Sequence, residues 1–74
     1  MDISILIVDD DKLVVEKLVE GVNWKQLGIG IVLTAYNIRQ AKEILEEARV
    51  DILLSDIEMP QGSGLELLEW VRNK

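Results

Sequence analysis

The sequence contains no cysteine and no histidine among its 74 residues. Without cysteine the chain has no disulfide, no thiolate nucleophile and no cysteine zinc site, and without histidine it lacks the commonest general base and metal ligand. It has a single proline, and no apolar run approaches the roughly 20 residues that a membrane-spanning helix needs. The chemistry that remains open to this chain is that of its carboxylates.

Acidic residues outnumber basic residues by 14 to 8, which gives a net charge of −6. This excess disfavours direct contact with nucleic acid, whose phosphates attract clustered lysine and arginine, and it suits a site that binds a cation. The N-terminal stretch MDISIL lacks the basic region and the cleavage site of a secretory signal. We therefore expect a cytoplasmic protein without membrane contact. A chain of this length forms one domain at most.

Strand and helix patterns alternate three times along the chain. The strand patterns cover residues 3–8, 29–35 and 50–55, and the helical patterns cover residues 12–22, 38–48 and 65 onward. The first and third strands are apolar nearly throughout, which predicts burial on both faces, whereas the second alternates. This order predicts a parallel α/β sheet with helices on both faces. Ligands of such sheets bind at the carboxyl ends of the strands.

Aspartates follow two of the predicted strands. Asp9 and Asp10 come at the end of the first strand, and Asp56 comes at the end of the third. If these strands are neighbours, the carboxylates lie one strand spacing apart, about 4.8 Å. Two ionised carboxylates about 4 Å apart repel by about 4 kcal/mol at an effective dielectric near 20, so the cluster needs a cation or a protonated member. Oxygen ligands of this kind fit Mg²⁺.

Each of these acids also has a purely structural interpretation. Asp10 or Asp11 can cap the first helix, and Asp56 can stabilise a turn before Pro60. The combination favours a functional site, because two acids follow one strand, a third follows another, and a loop rich in proline and glycine comes next. The residues alone leave both interpretations open.

The segments ILIVDDDK and ILLSDIEMPQGSGLELL resemble the receiver domains of two-component response regulators. This resemblance implies a three-layer, flavodoxin-like fold with strand order 2-1-3-4-5. Residues 1–74 would then form a partial receiver domain, truncated to βαβαβα with parallel strand order 2-1-3. The segment NWKQLGI, residues 23–29, also resembles receivers that are attached to AraC-type helix-turn-helix output domains.

The same resemblance implies roles for individual residues. Asp56 would be the phosphoacceptor and a metal ligand, Asp9 and Asp10 would hold Mg²⁺, and Glu58 would offer its backbone carbonyl. The donor would be a sensor histidine kinase, and the receiver itself would not be an enzyme. Ser63 stands where the family commonly has aspartate, a change between two capping residues. The family's Thr or Ser after strand four and Lys after strand five have no counterpart here, so we expect impaired phosphorylation.

Two other classes of function stay open. The D-x-D pattern of Asp9 and Asp11 also occurs in phosphatases of the haloacid dehalogenase type, although Leu13 stands where that family usually has Thr or Val. The chain could instead be a non-catalytic interaction module whose acids serve only as caps. In the order 2-1-3 the third strand lies at an edge of the sheet, so we also expect a homodimer through that exposed edge.

Overall fold

The structure is a computed structural model that describes residues 2–55 and 64–73. Its elements are β1 (Ile3–Val8), α1 (Lys12–Gly21), β2 (Ile29–Ala35), α2 (Ile38–Glu47), β3 (Ile52–Ser55) and α3 (Gly64–Arg72). The predicted alternation of strands and helices is confirmed, with element ends displaced by one or two residues. No helix within the described ranges has the length and apolar character required to cross a membrane.

The three strands form a parallel sheet in the order β2-β1-β3. The middle strand, β1, is buried from Ser4 to Val8, because it has a strand on either side and helices above and below. The predicted fold class, a truncated flavodoxin-like α/β fold with strand order 2-1-3, is confirmed.

Two apolar clusters lie on opposite faces of the sheet, and they take alternate residues of β1. The cluster on the face of α2 and α3 is made of Leu6, Val8, Ala35, Ile38, Ala41 and Leu67. The cluster on the face of α1 is made of Ile5, Ile7, Val15 and Ile29. This is the period of two that a strand imposes on its side chains, and it divides the core into two layers.

The prediction for the third strand was wrong in two respects. β3 starts at Ile52 rather than at Val50, which packs against the α2 and α3 cluster from outside the strand. The strand is also not buried on both faces, since Ile52 is 42% exposed and Leu54 is 45% exposed. These two residues pair with Ile5 and Ile7, so they lie on the α1 face. The cluster under α1 draws its strand residues from β1 and β2, which leaves the β3 side of this face uncovered by the described residues.

The simple alternation predicted along the second strand is interrupted near its start. The pairing of β1 with β2 shifts register between Ile3 and Ser4. As a result Ile29 joins the cluster under α1, whereas Leu33 packs against the cluster on the other face. Such an irregularity changes which face the following residues occupy, and it leaves Ile31 44% exposed.

Candidate functional site

Asp9 directly follows β1, and its backbone extends the pairing of that strand with β2. The Asp9 amide donates to the carbonyl of Ala35 at 3.1 Å. The Asp9 side chain bonds to the turn before α1, because its Oδ1 accepts from the backbone N–H of Asp11 at 3.0 Å. The half-buried carboxylate of Asp9 is therefore oriented by the turn that leads into α1.

Asp11 begins α1 as its N-cap. Its Oδ1 accepts from the backbone N–H of Leu13 at 3.0 Å and from that of Val14 at 3.4 Å. These bonds satisfy two of the amides that the first turn of a helix leaves without a partner. Of the two residues considered as caps in the sequence, Asp11 has this role and Asp10 does not.

Asp10 is exposed, and it makes no hydrogen bond or ion pair with any residue in the ranges 2–55 and 64–73. Its neighbours on either side are both engaged, Asp9 with the Asp11 amide and Asp11 with the first turn of α1. Asp10 is thus the acid in this group whose carboxylate can bind a ligand without giving up a contact within the described part of the protein.

The strand arrangement meets the condition on which a shared carboxylate site depends. β3 is a direct neighbour of β1 and runs parallel to it, and their last paired residues are Val8 and Ser55. The next residues in the sequence are Asp9 and Asp56. The predicted site residues Asp56 and Glu58 lie outside the described residues, so their roles stay predictions.

The described acids match the ligand chemistry of Mg²⁺ but do not complete a site. Among residues 2–55 and 64–73, no group of three or more histidine, cysteine, aspartate or glutamate side chains is placed to hold a metal ion. Protein sites for Mg²⁺ commonly supply one or two carboxylates and leave several positions to water. Asp9 and Asp10 supply carboxylate ligands of this kind, so the described part of the site fits the predicted cation.

The charge around these acids also favours a cation. The ion pair found in the described part of the chain joins Arg49 to Asp51 at 3.5 Å, at the amino ends of the strands. Within those ranges no basic side chain forms an ion pair with Asp9, Asp10 or Asp11. Three adjacent acids with no ion-pair partner among the described residues attract divalent cations, because each carboxylate raises the energy of the other charges.

One contact beside the site was not predicted from the sequence. The ammonium group of Lys12 lies 5.4 Å from the centroid of the Tyr36 ring. This contact joins the first turn of α1 to the residue after β2. The Tyr36 amide donates to Gln40 Oε1 at 2.9 Å, and Asn37 caps α2 by accepting from the Gln40 amide at 2.8 Å. A cation–π contact at an exposed position contributes about 0.5–1 kcal/mol. No local spacing signals such a contact, because its partners are brought together by strand pairing.

Residues 5–74 match the family described as the response regulator receiver domain. The chain belongs to the response regulator receiver domain family. This confirms the family that the two acidic motifs indicated, and it favours the receiver interpretation of the D-x-D pattern over that of a haloacid dehalogenase-type phosphatase.

Relatives and solved structures agree with this assignment. The chain is 42% identical over 71 residues to a protein-glutamate methylesterase/protein-glutamine glutaminase of Treponema pallidum (strain Nichols), an alignment covering 92% of this chain and 17% of that protein. It is similar to the crystal structure of a two component transcriptional regulator AraC from Clostridium phytofermentans ISDg, with a TM-score of 0.92, 33% identity, and coverage of 97% of this chain and 56% of that chain. The REC domain of AraT, a response regulator from Geobacillus stearothermophilus, gives a TM-score of 0.89, 32% identity, and coverage of 100% and 57%.

The structural neighbours of this receiver domain accordingly include a two component transcriptional regulator AraC, in agreement with the resemblance of residues 23–29. The chain spans a little over half the length of these two solved chains and under a fifth of the methylesterase.

Proposed function

We propose that this receiver domain accepts a phosphoryl group on Asp56 in two-component signalling. The metal in this proposal is Mg²⁺, held by Asp9, Asp10, Asp56 and the backbone carbonyl of Glu58. The observation that carries the proposal is the parallel pairing of β1 with β3, which sets two strand ends that lead into aspartates side by side. The exposed carboxylate of Asp10 and membership of the receiver family support it.

The proposed reaction transfers a phosphoryl group from the phosphohistidine of a sensor kinase. A carboxylate oxygen of Asp56 forms a bond to phosphorus while the bond from phosphorus to the histidine nitrogen breaks, and that nitrogen keeps the electron pair. Mg²⁺, when bound, would offset the negative charge on the phosphoryl oxygens. The turn at Asp9 and Asp11 keeps the Asp9 carboxylate oriented for this role, since its hydrogen bond comes from the backbone.

The chain acts in this proposal as a phosphoryl acceptor and not as an enzyme in its own right. The methylesterase named above extends far beyond the matched segment, so its activity is not carried over to this chain. An AraC-type output domain that regulates transcription, and a cytoplasmic location, belong to the same proposal. So does the absence of direct nucleic-acid contact by this segment, which the net charge of −6 supports.

Phosphorylation by a small donor tests the proposal. The chain is incubated with acetyl phosphate or phosphoramidate and Mg²⁺, and we expect the intact mass to rise by one phosphoryl group that maps to Asp56. Asp56→Ala should abolish the mass increase. Glu47→Ala, which removes an exposed acid at the end of α2 and changes the net charge equally, should leave it intact. A label that maps to Asp9, Asp11 or a serine contradicts the assignment.

We also propose that the 74-residue chain forms a two-fold dimer through β3. Within the described ranges β1 is the strand partner of β3, and no other described strand pairs with the outer edge of Ile52, Leu53 and Leu54. The exposed Ile52 and Leu54 lie beside that edge, on the α1 face. A second copy offers the same apolar residues and the same backbone edge, and closed two-fold pairs are the commonest way to cover such a surface.

A further inference from the structure

The amino ends of β1 and β3 are joined by a group of polar contacts, here called the Ser4–Asp51 clamp and made of Ser4, Arg49 and Asp51. The Ser4 amide donates to Asp51 Oδ2 at 2.9 Å, and the Asp51 amide donates to the Ser4 carbonyl at 3.1 Å. The Ser4 hydroxyl lies 2.7 Å from the Arg49 carbonyl and 3.2 Å from Asp51 Oδ2, and it accepts from the Asp51 amide at 3.1 Å. Ser4 is the buried polar residue of the described core, at 3% exposure.

The main interaction in the clamp is between Ser4 and Asp51 rather than between charges. Arg49 Nε lies 3.5 Å from Asp51 Oδ1, but the Arg49 side chain is 83% exposed, and exposed ion pairs contribute little. The Ser4 amide and hydroxyl, in contrast, are enclosed and need partners there, since a buried donor without an acceptor is costly. Asp51 accepts from the Ser4 amide, and the single proton of the Ser4 hydroxyl has the Arg49 carbonyl at 2.7 Å and Asp51 Oδ2 at 3.2 Å as alternative acceptors.

The apolar residues of β3 do not by themselves determine how this strand aligns with β1. A shift by one residue would put Ile52 or Leu54 in the place of Leu53, so the position that packs against the α2 and α3 cluster stays apolar in either direction. The clamp does distinguish between alternative alignments of β3 with β1. A shift by one residue would set Val50 or Ile52 in the place of Asp51, and neither side chain can accept a hydrogen bond from Ser4.

We propose that the Ser4–Asp51 clamp sets the register of β3 against β1 and thereby acts as a positioning pair for the acids at the opposite end of these strands. The clamp stands immediately before the first paired residues, Ile5 and Ile52, and the ladder then continues to its last pair at the carboxyl edge. The positioning role rests on the proposed function, whereas the register role does not.

The geometry of a metal site makes this register important. A slip by one residue displaces a strand by about 3.3 Å along its axis. Oxygen ligands of Mg²⁺ lie at about 2.0–2.1 Å in a nearly octahedral arrangement, which a displacement of this size destroys. In the register that the clamp sets, Asp9 and Asp56 are the equivalent residues that follow the two strands.

Three variants of the 74-residue chain test the proposal. Asp51→Ala removes the acceptor, and Asp51→Asn keeps one side-chain oxygen that can accept from Ser4. Val15→Ala is the matched control, because it removes buried volume under α1 without touching the clamp. Register is read from nuclear Overhauser contacts between the paired residues Leu6 and Leu53, and Mg²⁺ affinity is read from amide shifts during titration.

We expect Asp51→Ala to lose the native contact between Leu6 and Leu53 and to lose saturable Mg²⁺ binding, because the displaced strand end no longer completes the metal site. Asp51→Asn should keep both the contact and the affinity. Val15→Ala should lower the melting temperature while its folded molecules keep the native contact and the affinity of the unmodified chain.

The proposal is overturned if Asp51→Ala behaves like Val15→Ala, with lower stability but native register and native affinity. If Asp51→Ala does not fold, Ser4→Ala is measured in the same way, and a native register in that variant overturns the proposal equally. If the unmodified chain binds no Mg²⁺, the function proposed above fails, while the strand contacts still decide whether the clamp sets the register.

Discussion

Val8 pairs with Ser55 at the carboxyl end of the parallel ladder between β1 and β3. Each of these residues is followed in the sequence by an aspartate, Asp9 in one case and Asp56 in the other. The acids that follow β1 divide their tasks. Asp11 caps the helix, Asp9 is oriented by the Asp11 amide, and Asp10 stays exposed without a partner in the described part of the chain.

This division of tasks predicts opposite effects for two adjacent substitutions. Asp10→Ala should weaken Mg²⁺ binding and leave stability nearly unchanged, because Asp10 makes no hydrogen bond or ion pair with a described residue. Asp11→Ala should lower the free energy of unfolding by about 0.5–2 kcal/mol through loss of the cap while Mg²⁺ affinity is kept. Urea denaturation and a Mg²⁺ titration followed by amide shifts measure the two quantities. Equal Mg²⁺ affinity in Asp10→Ala and the unmodified chain would remove Asp10 from the proposed site.

The division among these acids also shows how far the sequence can be interpreted. The period of the apolar residues and the alternation of elements predict the sheet and its two apolar faces, because burial imposes those periods directly. The sequence left Asp10 and Asp11 equivalent as caps, since cap preference depends on residue type and both are aspartate. Only the position at which the backbone enters α1 separates them.

Long-range relationships were the part that the sequence could not supply. The contact of Lys12 with Tyr36 and the clamp between Ser4 and Asp51 each join residues that are brought together by strand pairing. The exposure of Leu54 was also missed, because an apolar strand does not reveal which of its faces a helix covers. The signal for the clamp was present as a polar residue within the otherwise apolar start of β1, where a buried hydroxyl requires a partner.

Acid should weaken the clamp in a defined pH range. The hydrogen bond from the Ser4 backbone amide is the main cause that lowers the pKa of Asp51 from its ordinary value of 3.8; burial opposes this, while the Ser4 hydroxyl and Arg49 assist. Because the pKa is lower in the folded than in the unfolded chain, the stabilisation is complete above the unfolded value and is lost as pH falls through the folded value, below 3.8. Among residues 2–55 and 64–73, the charged groups near Asp51 are Arg49 and Asp2, and Asp2 lines the same cleft.

Urea denaturation from neutral pH to below pH 3.8 measures this effect. The quantity of interest is the difference in the free energy of unfolding between the unmodified chain and Asp51→Asn. The difference isolates Asp51 from the other carboxylates, which titrate in both proteins. We expect the stability of the two proteins to converge as pH falls below 3.8. Parallel pH profiles throughout the acid range would show that the Asp51 charge does not contribute to folding.

Leu6 at the centre of the sheet should be close to indispensable. It is fully buried in β1, where it contacts the cluster shared with α2 and α3. Leu6→Ala should cost about 2–5 kcal/mol, from lost transfer energy and the cavity left behind, and this is comparable to the whole stability of a domain of this size. Leu27→Ala, at a position that is 63% exposed, should change stability by no more than about 0.5 kcal/mol. Thermal melts followed by circular dichroism compare the stability of the two variants. A folded Leu6→Ala variant of near-native stability would contradict the placement of Leu6 in the core.

Self-association through β3 predicts that a charge at Leu54 separates the copies. Leu54 is 45% exposed on the α1 face of the edge strand, so Leu54→Lys places an ammonium group where the proposed dimer would bury it, and an unpaired buried charge is strongly unfavourable. Leu27→Lys is the matched control, since it introduces the same charge at an exposed leucine before β2. Sedimentation velocity at micromolar concentration should show a dimer for the unmodified chain and for Leu27→Lys, and a monomer for Leu54→Lys. Hydrogen exchange adds a second criterion, because pairing between copies protects the outward amides of β3. A monomeric unmodified chain, or a Leu54→Lys variant that stays dimeric, would show that β3 is not the interface.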